Sequence, residues 1–257
     1  MRAKWLAVPA ILMISAVLLA QQAAQIPAGD KLDQLLANWE KSMTAVQSLL
    51  AYCTRTTTDK VFQSTEVFEG MAKFVKSGQA GQSSRASLEM KKKGRPEIYE
   101  KFICTGTFLY EFSPQTKVIR IHELPPPKVG QLADDNFLSF LFGMKSADAK
   151  KRYKLTYVAP PADDKWYSYV KIEPIEIADK ADFTEAQLVL NNSTYLPRRL
   201  WFRQSNGNEV QWDFPKMISG ADIRATEFAQ PALPAADWKY VRVPRETGPR
   251  VVRPNNQ

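Results

Sequence analysis

One histidine, two cysteines and eleven glycines are all that 257 residues supply of these types, and each shortage excludes a class of chemistry. With His122 alone, neither a multi-histidine zinc site nor a two-histidine iron triad can form, and a Ser-His-Asp triad has one possible centre. Two cysteines cannot staple a disulfide scaffold, and so few glycines exclude a collagen-like chain. At 44% hydrophobic and 24% charged, the composition is that of a globular protein rather than a disordered one. The length admits one large domain or two small ones.

What is present begins with a leader. Met1 to Lys4 carries two positive charges, Trp5 to Ala20 is an apolar run, and Ala20-Gln-Gln-Ala-Ala24 closes it with small residues. The run falls short of the roughly 20 residues that span a bilayer, so the pattern predicts a secretory signal peptide over 1–24 and a periplasmic or otherwise exported product. A Pro/Gly linker follows at 25–29. Loss of Arg2 and Lys4 takes the net charge from +8 to +6. That modest excess suits a transient anionic membrane surface, and export argues against nucleic acid as a partner. Cys53 and Cys104 are an even pair in an oxidising compartment, able either to close one disulfide or to sit as small buried side chains.

From Asp30, a good N-cap, Leu32, Leu35, Leu36, Trp39, Met43 and Val46 recur at helical spacing and predict one amphipathic helix. From Leu50 onward the period becomes two. Leu50, Tyr52 and Thr54 alternate, then Phe68, Gly70, Ala72 and Phe74, then Phe108, Tyr110 and Phe112 on a single face. The pattern breaks at Leu124-Pro-Pro-Pro127, after which Asp135 opens the nearly all-apolar run Phe137 to Phe142, ended by Gly143, with a second short helical turn at Ser146–Arg152. Strands resume at Tyr153–Val158, Trp166–Ile177, Ala186–Leu190 and Leu196–Phe202. Asn206-Gly207 then reads as a type I′ hairpin turn into Val210, Trp212 and Phe214. The fold expected is mainly β (α+β): an incomplete antiparallel half-barrel of ten or eleven strands, with an N-terminal helix and a short helical lid. In this reading one domain covers 30–244, the lid insertion lies at about 125–152, and 245–257 is a mobile basic tail.

Several phrases resemble the LolA family of periplasmic lipoprotein carriers: Gly94-Arg95-Pro96-x-x-Tyr99, Cys104-Thr-Gly-Thr-Phe-Leu-Tyr-Glu-Phe-Ser-Pro114, and Gly220-Ala-Asp with Phe228, Pro231 and Pro234. Asp135-Asn-Phe-Leu-Ser-Phe-Leu-Phe-Gly-Met144 and Leu196-Pro-Arg-Arg-Leu-Trp-Phe202 are similar to an uncharacterised planctomycete family of LolA-like proteins. The resemblance runs from about Asp30 to Pro244. It implies about eleven strands whose concave face takes acyl chains beneath a helical lid, with membrane-protein donors and acceptors. It also implies that Arg95 latches the lid. The chain departs from the carriers in its length, its Pro-Pro-Pro element and its two cysteines.

The candidate pocket is therefore Phe68, Phe74, Phe108, Tyr110, Phe112, Leu200, Phe202, Val210 and Trp212, closed by Phe137, Phe140 and Leu141 of the lid. Taken singly, each strand residue is better explained as packed core; the greasy lid run is what calls for a cavity. The function expected is a non-enzymatic, cofactor-free, monomeric carrier of lipoprotein or lipid acyl chains. Two alternatives stand beside it. One is a periplasmic sensor or protein-interaction module of the same fold with no transported ligand, and the other is an exported hydrolase using His122 and a carboxylate. The lone histidine, without a nucleophile motif, disfavours the latter.

Overall fold

Period-two alternation over most of the chain folds into one twelve-stranded sheet. The computed structural model describes residues 28–77, 83–124 and 145–244. In chain order the strands are β1 (Ser48–Asp59), β2 (Ser64–Val75), β3 (Arg85–Lys92), β4 (Arg95–Cys104), β5 (Phe108–Ser113), β6 (Val118–Glu123), β7 (Tyr153–Val158), β8 (Tyr167–Pro174), β9 (Glu185–Asn191), β10 (Pro197–Arg203), β11 (Glu209–Ser219) and β12 (Lys239–Val243). Helix α1 spans Ala28–Ala45, α2 spans Ser146–Arg152 and α3 spans Ile177–Asp182. The sheet order is β12-β6-β5-β4-β3-β2-β1-β11-β10-β9-β8-β7. Every pairing is antiparallel except that of β12 with β6, which is parallel.

The half-barrel class holds, with local corrections. The final strand, β12, lies beyond the Pro-rich stretch and brings the count to twelve. Helix α1 starts at Ala28, so Asp30 lies in its first turn rather than capping it. Its acidic side chain still favours that end through the helix dipole. The expected strand over Trp166–Ile177 ends at Pro174, because Ile177 begins α3. In the Asn206-Gly207 turn only Gly207 has positive φ (86°), whereas type I′ needs it at both positions. Leu49, Ala51 and Cys53 are buried, while Leu50 and Tyr52 face the other way, Tyr52 lying beneath the Lys216 ammonium.

Directly paired residues share a face, so the registers assign every strand residue to one of two sides. Leu49, Phe74, Leu88, Leu200, Trp212 and Ile172 share the inner side, against which α1 lays Leu35, Leu36, Trp39 and Met43, with Val46 just past its end, in one buried cluster. The outer side carries a smaller cluster of Ile103, Tyr110, Phe112 and Ile119, with Phe108 and Trp238 packed on it. Arg55 of β1 and Glu100 of β4 show that the sheet is concave inward. They lie three strand spacings apart, about 14 Å in a flat sheet. Yet their side chains meet at 2.6 and 2.7 Å over the inner face.

Candidate functional site

The inner face is built from strands that each turn one apolar row toward α1, and its centre is floored by small residues. Ala51 of β1 pairs with Ala72 of β2, and Cys53 pairs with Gly70. Because these side chains are short, they leave a slot edged by Leu49, Phe74, Phe214 and Met217, with a cavity of about 30 Å³. That is about one water's share of liquid volume, in an apolar lining that gives water no partners. Ala72, Phe74 and Met217 around it, and Leu88, Phe202 and Trp212 elsewhere on the same face, are only partly buried.

At one end of this face a charge sits in the apolar row. The Arg55 guanidinium lies 4.7 Å from the centre of the Phe68 ring and 5.5 Å from that of Trp212, so two aromatic faces hold it through cation–π attraction. Its two terminal nitrogens donate to both oxygens of Glu100, the fork geometry that makes such pairs strong. Its Nε is buried and has no hydrogen-bond partner among the described residues. Toward β6 the same face turns polar. Glu111 accepts from Arg120 at 3.3 Å and pairs with His122 Nε2 at 2.9 Å, while Arg120 also donates to Ser113 at 2.6 Å.

The structure divides the expected pocket. Phe68, Phe74, Leu200, Phe202, Val210 and Trp212 are brought to the inner face, where Phe202 pairs with Val210 and Leu200 with Trp212. Phe108, Tyr110 and Phe112 are not. Their partners Glu123, Ile121 and Ile119 lie on the outer side, where Trp238 covers Phe112 at a ring separation of 6.1 Å. The C-terminal segment, crossing that side to place β12 beside β6, supplies the cover that makes this face apolar. Phe137, Phe140 and Leu141 lie outside the described residues. Arg95 is 63% exposed and pairs with Glu97 of its own strand at 3.3 Å. Arg55 and Glu100 were missed by sequence reasoning, although continuing the Leu49, Ala51, Cys53 phase by one step would have put Arg55 inside.

Cys53 and Cys104 are free thiols, and the bridge considered from sequence does not form. Strands β2 and β3 lie between them, about 14 Å of sheet against the roughly 7 Å limit for a disulfide. Cys53 instead donates to Met90 Sδ at 3.4 Å, and burial pushes its thiol up to about 11. Burial raises Cys104 as well. Neither is a ready nucleophile at neutral pH. Among the described residues, no group of three or more His, Cys, Asp or Glu side chains could hold a metal.

Beside the sheet, α2 is fastened to α1. Glu40 accepts from the Ser146 hydroxyl at 2.6 Å and from its amide at 3.0 Å, and Lys150 donates to Asp33 at 2.6 Å. Buried Asp179 of α3 is held by both donors of Arg152. Lys151, Arg152, Glu176, Ala178 and Asp179 line a polar depression of about 370 Å³ there.

No family model matches the sequence, and no curated protein matches it. Solved structures of similar form do exist. An uncharacterized conserved protein from Thermus thermophilus is 11% identical, with 83% of this chain and 99% of that one covered and a TM-score of 0.48. MucB, in its Pseudomonas aeruginosa complex with MucA, is 13% identical over 78% of this chain and 61% of that one, with a TM-score of 0.45. A LolA superfamily protein from Nitrosomonas europaea is 11% identical over 77% of this chain and 97% of that one, with a TM-score of 0.34. At such identities the likeness concerns shape, and the functional argument rests on the inner face itself.

Proposed function

We propose that this protein is an exported, non-enzymatic carrier of the LolA-like kind that shelters acyl chains of a lipoprotein or lipid against the concave face. The observation that carries the reading is the apolar inner face with the small-residue slot at Ala51 and Ala72, edged by Leu49, Phe74, Phe214 and Met217, along which Leu88, Phe202 and Trp212 are also only partly buried. The slot is too small for a chain. In this reading it receives the first methylenes, and the covering elements give way as more enter. Each buried methylene contributes about 0.8 kcal/mol, so a few carbons give useful affinity and still permit release. The run around Phe137, Phe140 and Leu141 serves as the closing lid, with α2 as its fixed root on α1. Arg55 and Glu100 bound the apolar row and set how far a chain can run.

The test is to purify the mature protein, extract and weigh any retained lipid, and titrate it with a fluorescent fatty acid. Binding is expected, and Ala72→Trp, which fills the slot from its floor, should weaken it at least about tenfold by removing contacts for two or more methylenes. If no lipid is retained and no fatty acid binds, the carrier reading is wrong and a protein-interaction role for the same face takes its place.

A further inference from the structure

Arg55 is held on the inner face in a way that leaves one of its donors over. Its two terminal nitrogens donate to Glu100 at 2.6 and 2.7 Å, and its guanidinium lies against the Phe68 and Trp212 rings. A guanidinium gripped end-on by a carboxylate has its charge offset, but its Nε hydrogen lies outside that fork. Here Nε is buried and has no hydrogen-bond partner among the described residues. A buried donor in that condition costs more than an ordinary hydrogen bond returns, so it marks a place where an acceptor belongs.

The approach to this donor is apolar and low. Running back from Arg55 along β1, the next inner residues are Cys53 and Ala51, which pair with Gly70 and Ala72 of β2, and Ala51 and Ala72 line the slot. All four side chains are small, so they form a floor about 14 Å long between Arg55 and Ala51, at roughly 3.4 Å per strand residue. A hydrocarbon chain laid on that floor with its leading end in the slot brings its other end to Arg55. The charges at that end are already closed. Arg55 is paired with Glu100, and Lys92, the direct partner of Phe68, is paired with Glu66 on the same face. A free carboxylate would meet Glu100 there and no unbalanced cation, so the acceptor that fits is neutral.

We infer that Arg55 Nε is a subsite for the carbonyl oxygen of an ester- or amide-linked acyl chain. The inference rests on the carrier reading and adds the ligand's point of attachment to it. An ester or amide carbonyl is a neutral acceptor at the end of a hydrocarbon chain, and it can take the single N–H that the fork leaves over. The protein therefore selects acyl chains still linked to a larger molecule over free fatty acids. Glu100 and the two rings fix the guanidinium before the ligand arrives, so little ordering remains to be done on binding.

The experiment titrates the full mature chain at neutral pH with three probes of matched chain length: a fatty acid methyl ester, an alkyl methyl thioether, whose sulfur is a weak acceptor, and the free fatty acid. The ester is expected to bind about tenfold more tightly than the thioether, the difference between a satisfied and an unsatisfied buried donor, and more tightly than the free acid. Infrared spectra of the bound ester should show its carbonyl stretch at lower frequency than in hydrocarbon solvent. In Arg55→Met with Glu100→Gln, which removes the donor and leaves no unpaired charge behind, ester and thioether should bind alike and the stretch should return to its hydrocarbon value. Circular dichroism checks the fold of this double variant; if it does not fold, the infrared shift in the wild type decides by itself. Equal binding of ester and thioether by the wild type, an unshifted carbonyl, an ester preference that survives in the double variant, or tighter binding of the free acid would each overturn the inference and leave the carrier reading standing. Binding of none of the three probes would overturn both.

Discussion

Gly70 is where the inner face is most sensitive to one added atom. A Cβ there would lie 1.9 Å from the Glu89 carbonyl oxygen and 2.8 Å from both the Glu89 carbonyl carbon and Met90 Cα, all of them backbone. A relaxed carbon-to-oxygen approach is about 3.3 Å, so Gly70→Ala requires β2 and β3 to part by roughly 1.4 Å. That strains the local ladder, with about 1 kcal/mol for each of about two hydrogen bonds and about 1 to 3 kcal/mol of overpacking. Alanine recovers some 0.5 to 1 kcal/mol through its lower unfolded-state entropy, leaving a net loss of about 2 to 4 kcal/mol. Urea unfolding followed by tryptophan fluorescence and circular dichroism measures this directly. The melting temperature should fall by roughly 4 to 16 °C, at about 2 to 4 °C per kcal/mol for a domain of this size. Gly94→Ala is the control, because its Cβ meets nothing within 4 Å and only its φ of +76° resists, for about 1 to 2 kcal/mol. A Gly70→Ala protein within about 0.5 kcal/mol of wild type would refute the close approach of β2 and β3 and the floor of the slot built on it.

Two further outcomes follow from titratable groups. Hydrogen bonds from the Ser146 side chain and then its amide hold the Glu40 carboxyl below its ordinary value. The stability this anchor gives is therefore complete above the unfolded pKa of about 4.3 and is lost as the pH falls through the lower folded value. Thermal melts should show Glu40→Gln less stable than wild type at neutral pH, with the gap closing in acid; a gap that stays constant with pH would count against it. For the thiols, denaturation without reductant followed by alkylation should add two labels, whereas the native protein should label slowly at neutral pH because burial raises both groups. A chain that takes up no label when unfolded would show a bridge.

The half-barrel was legible because period-two alternation, turn residues and one amphipathic helix all point to a curled sheet with a helix on it. The stripe Leu32, Leu35, Leu36, Trp39, Met43 and Val46 was readable by spacing alone; the last five are buried, Leu32 is half-buried, and Val46 lies just past the end of α1. The lid run is equally conspicuous in the sequence, although Phe137, Phe140 and Leu141 lie outside the described residues. What alternation does not carry is which side of the sheet each row faces, since a row reads the same from either side and a slip of one residue exchanges the two. That is why Phe108, Tyr110 and Phe112 were grouped with a face they do not join. It also explains why Arg55, read as one charge among many, went unremarked until Glu100 met it across two intervening strands. Local periodicity was enough to place the elements and to imply a curled sheet. The side each row faces, the free state of Cys53 and Cys104, and the meeting of Arg55 with Glu100 were decided by the tertiary structure. They depend on strand order and curvature, which are set by contacts between residues far apart in the chain.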